Sequence, residues 1–363
     1  MEFCSWLFIV LFGGEKLYNK ILLNAYLANN LGDDLFIRII CEQFKNILFF
    51  IIESKPYTNA FETIPNIKIC SQKDALEIKF DLQIMIGGSL FMQPRDIHNI
   101  HAKYESVTNT RIFLDIPFII IGANFGPYTE KKHFELYKSW FSTLHDICFR
   151  DNQSYDLFKD LPNVRWAPDV IFNYKLQNYI QQHARAVSIS CIYNNQRIGL
   201  HNYSQKKYFQ KLANVSIYYI ENGYDIKLAS FCTQQGDLLA AYEILKYIPT
   251  EYHRRIEILE YNGFNINVFL SSFLNSEYII GTRFHSVILG WLANIPVFPI
   301  IYNIKTYNVL KSYGFEGNYT NIEDIDKCTL NFINQNKINA YCLNCANLVE
   351  KANAQFDFLN KIY

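Results

Sequence analysis

Between residue 21 and about residue 315, apolar runs of strand length alternate with longer stretches whose apolar positions recur at helical spacing. In the first half the runs predict strands at Ile21–Tyr26, Ile47–Ile52, Leu82–Ile86, Phe118–Gly122 and Ile147–Arg150, with helices such as Asp33–Phe44 and Lys131–Leu144 between them. The second half keeps the rhythm. Strands fit Val187–Ile192, Ile226–Phe231, Ile256–Leu259, Tyr278–Ile280 and Val297–Ile301, and helices fit Ser204–Asn222, Asp237–Lys246, Asn265–Leu274 and Phe284–Leu292. Such alternation builds βαβ units around parallel sheets. The expected fold is α/β, with two Rossmann-like domains facing one cleft. The stretch Asn173–Ala184 carries neither period and follows Trp166-Ala167-Pro168-Asp169, where proline interrupts regular structure. The expected division is an apolar extension at 1–17, a first domain at 18–175, a second at 183–335, and one C-terminal helix over 339–363 that crosses back onto the first domain.

Composition narrows the function classes. The 363 residues are 50% hydrophobic, which is ample for two cores and argues against disorder. Lys+Arg equals Asp+Glu at 34 each, so no general positive field gathers nucleic acid, and a bound anion must be held by local groups. Nine scattered cysteines, several in apolar runs, suit reduced thiols in a reducing, cytoplasmic setting. Cys342 and Cys345 have C-x-x-C spacing without a second pair, and His98 and His101 have H-x-x-H spacing without a third ligand; no metal is expected at either. The apolar stretch Trp6–Phe12 is far shorter than the ~20 residues that span a bilayer, and neither a basic flank nor a cleavage site marks it as a signal. It reads as an added strand or, alternatively, as a foot on the inner face of a membrane. No later stretch is long enough to cross one.

In parallel sheets ligands gather beyond the carboxyl ends of the strands, so the residues just after each strand are the informative ones. The sharpest run is Gly281-Thr282-Arg283-Phe284-His285-Ser286, a glycine turn opening a helix. Free amides and the dipole at a helix start favour an anion, Arg283 offers a fork for carboxylate or phosphate, and His285 can carry a proton near neutral pH. Arg150, ending the fifth strand, reaches the cleft from the other side or pairs with Asp151. Tyr302, Asn303 and Lys305 follow the last strand of the second half. In the first half, Asn30-Leu31-Gly32-Asp33-Asp34, Gly87-Gly88-Ser89 and Gly122-Ala123-Asn124-Phe125-Gly126-Pro127 offer glycines for close backbone approach and Asn or Asp for hydroxyls, with Asp33 equally readable as a helix cap. None of these matches G-x-G-x-x-G or a Walker loop, and no G-x-S-x-G elbow exists.

Taken in order over residues 18 to 315, these loops, with Phe149-Arg150-Asp151 and Pro168-Asp169 between them, resemble the polysaccharide pyruvyl transferase family. The resemblance implies a two-domain arrangement similar to the GT-B glycosyltransferases. It also implies transfer of a pyruvyl group from phosphoenolpyruvate, as co-substrate and without a further cofactor, onto two hydroxyls of a sugar. The acceptor would be a saccharide of a capsule or exopolysaccharide, or its lipid-linked precursor. Carried onto this chain, the resemblance makes Arg283 and His285 catalytic and places Arg150 and Arg283 at the donor; Thr282, beside Arg283, and Lys305, by its place after the last strand unless it is simply solvated, are expected there with them. Asn30, Asp33, Gly88, Ser89 and Asn124 would face the acceptor. Two departures stand out: the apolar start before Lys16, and a long polar segment at Tyr193–Gly199. The alternatives are a nucleotide-sugar glycosyltransferase with Asp33 as base, and a non-catalytic scaffold in glycan assembly.

Overall fold

The computed structural model describes residues 19–53, 57–176, 184–193 and 203–362. The apolar stretch Trp6–Phe12, most of Tyr193–Gly199 and the middle of Asn173–Ala184 lie outside the described residues. Two parallel sheets carry the chain. The first joins β1 (Lys20–Asn24), β2 (Leu48–Ile52), β3 (Ile67–Cys70), β4 (Leu82–Ile86), β5 (Phe118–Ala123), β6 (Asp146–Phe149) and β7 (Val164–Trp166) in the order β3-β2-β1-β4-β5-β6-β7. The second joins β8 (Ala186–Ser190), β9 (Asp225–Ser230), β10 (Ile256–Glu260), β11 (Tyr278–Gly281), β12 (Val297–Ile301) and β13 (Thr320–Asn321) in the order β10-β9-β8-β11-β12-β13. Both orders run outward, return to the middle and run outward again, the doubly wound pattern of dinucleotide-binding folds.

The unbroken apolar runs become the central strands because helices cover both faces; β4, β5, β8 and β12 are buried at every position. The strands that periodicity missed, β3, β7 and β13, are short sheet-edge strands, and β3 leaves its inner two residues exposed. An edge strand needs only one apolar face, so its signal is weak. The reversal in strand order falls between β1 and β4 in one sheet and between β8 and β11 in the other, and such a reversal opens a crevice at the strands' carboxyl ends.

One apolar core runs through both sheets, uniting Phe36, Val170 and Phe172 with Phe231, Phe269 and Phe284. Polar ties reinforce it: the Leu31 amide donates to the Phe231 carbonyl at 3.1 Å, and the Tyr261 hydroxyl donates to Asp34 at 2.7 Å. Asp34 is fully buried, and burial pushes its carboxyl up to about 8.

The C-terminal segment does return to the first sheet, but not as one helix over 339–363. Two short helices, Ala346–Ala352 and Asp357–Ile362, flank a tight turn at Asn353–Phe356. The break has a reason. Gln355 is buried there, accepting from the Gly122 amide at 2.9 Å and donating to the Ala167 carbonyl at 2.8 Å, which stitches the segment across the ends of β5 and β7. No helix among the described residues is long and apolar enough to cross a membrane.

Candidate active site

A cavity of about 560 Å³ opens between the two sheets. Most of its wall comes from the segments that follow strands: Tyr26, Asn30 and Asp33 after β1, Gly88, Ser89, Leu90 and Met92 after β4, and Arg150 after β6. The second half contributes Phe231 and Gln235 after β9, Arg283, Phe284 and His285 after β11, and Tyr302, Asn303 and Lys305 after β12. Residues as far apart along the chain as Tyr26 and Lys305 thus gather where strand polarity directs them.

Arg283 caps the helix Phe284–Leu292 without a side-chain bond to it, so its guanidinium is free to turn inward. It is 7% exposed and held in two-point fashion by Asp237, with Nε donating to Oδ2 at 2.6 Å and Nη2 to Oδ1. Nη1 donates to Gln235 at 2.6 Å. Of five N–H donors three are used in this way, and two remain for a ligand among the described residues. The amides of the glycine turn offer less than the motif suggested: those of Thr282 and Arg283 donate to the Ser190 hydroxyl at 2.9 and 3.0 Å.

Arg150 does not pair with Asp151, which instead caps its own helix by accepting from the Ser154 amide at 2.8 Å. The Arg150 guanidinium lies flat in a slot. It covers Gly88, where an added Cβ would stand 2.5 Å from both terminal nitrogens, and its central carbon lies 4.4 Å from the Phe284 ring centroid. Nη1 donates to Asp169 at 2.9 Å and Nη2 to Asn124 at 2.7 Å, while the buried Nε has no partner. Burial raises Asp169, and Arg150 and the Ile171 amide oppose that shift.

His285 packs edge-on against Phe36 and over the backbone of Gly32, whose absent Cβ would fall 1.7 Å from Nδ1. Gly32 and Gly88 were expected to admit a ligand; they admit His285 and Arg150 instead. The buried His285 Nε2 has no hydrogen bond, and the nearest Asp169 oxygen is 4.0 Å away. Burial first, then the charges of Arg150, Lys305 and Arg283, hold the imidazole well below its ordinary range, so without a ligand it is neutral at pH 7.

Lys305 reaches across the cavity from the second sheet and donates to the Ser89 hydroxyl at 2.6 Å; burial lowers its ammonium. Asp33 is not the cap of the helix Leu31–Gln43, a role taken by Asn30, whose side chain accepts from the Gly32 amide at 3.2 Å. Asp33 instead lines the cavity, and burial pushes its carboxyl up to about 6 against the pull of Arg150, Lys305 and Arg283.

The structure thus brings together Arg283, His285, Arg150, Lys305, Asn30, Asp33, Gly88 and Ser89. Thr282 and Asn124 are corrections, because both sit behind the wall. The Thr282 hydroxyl bonds the Tyr208 hydroxyl at 2.9 Å, and the buried Asn124 accepts from Arg150. Asp237 and Gln235 were not anticipated, although they follow β9 and the same strand-end rule selects them. Among the described residues no three His, Cys, Asp or Glu side chains converge to hold a metal.

The arrangement of two Rossmann-like sheets around this cleft is that of the GT-B glycosyltransferases and sugar-nucleotide epimerases. The UDP-GlcNAc 2-epimerase of Methanocaldococcus jannaschii, solved with UDP-GlcNAc and UDP, is similar at TM-score 0.60 with 14% identity, over 95% of this chain and 99% of that one. The Neisseria meningitidis UDP-GlcNAc 2-epimerase bound to UDP-GlcNAc gives TM-score 0.60 and 10% identity, over 95% and 99% of the two chains. The Anabaena protein HepE in complex with UDP and glucose gives 0.53 and 10%, over 96% and 100%. These likenesses establish the fold. No curated protein matches the chain in sequence. The family model for polysaccharide pyruvyl transferase matches residues 30–304, spanning every loop described above from Asn30 to Asn303, and the chain belongs to that family.

Proposed function

We propose that this protein transfers a pyruvyl group from phosphoenolpyruvate to two hydroxyls of a saccharide, forming a cyclic ketal and releasing phosphate. The observation that carries this reading is the meeting of Arg150, Arg283 and Lys305 with His285 on one cavity, in a chain without net charge. A donor with a phosphate and a carboxylate needs two fork-shaped cations and a point charge, and this wall supplies them. The free N–H groups of Arg283 and Arg150 take the two anionic groups, and Lys305 exchanges Ser89 for a donor oxygen.

Protonated His285 then delivers its proton to the methylene carbon, leaving the adjacent carbon electrophilic. A sugar hydroxyl adds to that carbon as Asp33, poised near neutrality, removes the hydroxyl proton. The carbon–oxygen bond to phosphate breaks, and a neighbouring hydroxyl closes the ketal, its proton leaving with the phosphate. Positioned general acid catalysis contributes roughly 10²–10⁴ in rate, and anchoring both anionic groups supplies orientation. Tyr26 and Ser89 line the first-sheet wall of the cavity, which this reading assigns to the acceptor.

The test compares thermal stabilisation by phosphoenolpyruvate with that by UDP- and GDP-sugars, alongside phosphate release in the presence of saccharide acceptors. A ligand at about 100 times its dissociation constant stabilises by about 2.7 kcal/mol. Stabilisation by the sugar nucleotides and not by phosphoenolpyruvate would replace this reading with glycosyl transfer. His285→Ala should retain donor-induced stabilisation and lose transfer; a variant with parental turnover removes His285 from the chemistry.

A further inference from the structure

The charges around the cavity nearly cancel before any ligand arrives. Arg283 is matched by Asp237, Arg150 by Asp169, and Lys305 stands opposite Asp33. Only Lys103, on the outer wall, adds a cation with no hydrogen-bond or ion-pair partner among the described residues. A phosphate monoester together with a carboxylate brings a charge of about −2.5 to −3 near neutral pH. Buried charge left uncompensated is costly, and the two arginines cannot neutralise the donor and their own carboxylates at once.

One seat for a compensating positive charge is already built. The His285 Nε2 is buried, has no partner and stands 4.0 Å from an Asp169 oxygen, close enough to form an ion pair after a small ring shift. The groups facing this imidazole are Arg150, Arg283 and Lys305, which oppose its protonation, and Asp169, which favours it. Phe36 and Phe284 contribute no charge. Asp33 faces the same three cations and is the competing seat; Asp34 behind it is tied to Tyr261, and Tyr302 also lines the wall. An anionic donor offsets the three cations, which come second to burial in keeping His285 neutral, and adds a counter-charge beside the imidazole, so the balance shifts toward the protonated ring.

We infer that binding of the donor, with its two anionic groups, is coupled to uptake of one proton, seated on His285. The donor thus arms its own general acid, and the empty site does not hold a reactive imidazolium. This rests on phosphoenolpyruvate being the ligand. The coupling is read by calorimetric titration of the full chain with phosphoenolpyruvate at pH 8, where the donor phosphate is already ionised, in buffers of different ionisation enthalpy. The apparent enthalpy should vary with the buffer by an amount equal to about one proton taken up, and the dissociation constant should rise about tenfold per pH unit above neutrality. In His285→Asn, shown by melting to be folded, the buffer dependence should vanish, whereas Asp33→Asn should keep it. A wild-type enthalpy independent of buffer overturns the coupling with the donor reading intact. Uptake that persists in His285→Asn overturns the seat. Absence of any phosphoenolpyruvate heat overturns the donor reading and this inference with it.

Discussion

Replacing Asp237 by alanine strikes the most tightly held charge in the cleft. The carboxylate is fully buried; it grips Arg283 at two points and also accepts from the Phe231 and Cys232 amides at 3.2 and 3.0 Å. Alanine leaves a guanidinium 7% exposed without its counter-charge, and breaking a buried pair from one side costs about 3–5 kcal/mol. With an unfolding entropy of about 2.1 cal/mol/K per residue over 363 residues, each kcal/mol is worth about 1.3 °C, and the melting temperature should fall by roughly 4–7 °C. The companion variant Asp237→Leu with Arg283→Met removes both charges and should recover much of the lost stability, since a buried pair is replaceable by apolar residues of similar volume. Transfer activity should stay absent in the double variant, because the donor has lost its fork. Differential scanning calorimetry of the parent, Asp237→Leu, Arg283→Met and the double variant gives the coupling energy directly. An Asp237→Ala protein that melts within about 2 °C of the parent would refute the claim that this carboxylate holds Arg283 in place.

Other perturbations follow from the same geometry. Gly88→Ala puts a methyl 2.5 Å from both terminal nitrogens of Arg150 and pushes the guanidinium out of its slot; kcat/KM for the donor should fall about 10²-fold, measured by phosphate release, and the melting temperature should fall as well, because the buried pair with Asp169 is disturbed. Lys305→Met removes a cation from a donor oxygen, a charged hydrogen bond of about 1.5–3 kcal/mol, so the phosphoenolpyruvate dissociation constant should rise roughly 10–150-fold by calorimetry. Asp34 has its folded value raised to about 8 from an unfolded value near 4, so between those pH values the native state holds a proton that the unfolded state has lost. Its contribution therefore falls as pH rises through that window. Asp34→Asn, whose side-chain carbonyl still accepts from Tyr261, should match the parent in chemical denaturation at pH 4 and exceed it at pH 8.

The central strands were legible because β4, β5, β8 and β12 are covered on both faces, and an apolar run leaves few other options. The edge strands β3, β7 and β13 were not, since Ile67–Cys70 reads much like a loop with two isoleucines, whereas the edge strand β10 was. Arg283, His285, Arg150 and Lys305 stood out because strand ends define where a cleft lies, whichever helices intervene. Their partners were hidden. Asp237 lies 46 residues from Arg283, Asp169 lies 19 from Arg150, and nothing local marks a carboxylate as the counter-charge of a distant arginine. The glycines were noticed and misread, because a missing side chain announces close approach without saying what approaches. Gly32 makes room for a histidine from the other sheet, a contact that only the assembled fold defines.

The most direct measurement is the crystal structure of the protein soaked with phosphoenolpyruvate at saturating concentration. It should show the donor's phosphate and carboxylate divided between Arg150, Arg283 and Lys305, with the methylene carbon against the His285 ring and the Lys305–Ser89 bond broken. A donor bound elsewhere, or a bound donor that accepts from neither Arg150 nor Arg283 while phosphoenolpyruvate is turned over, would contradict the site described here.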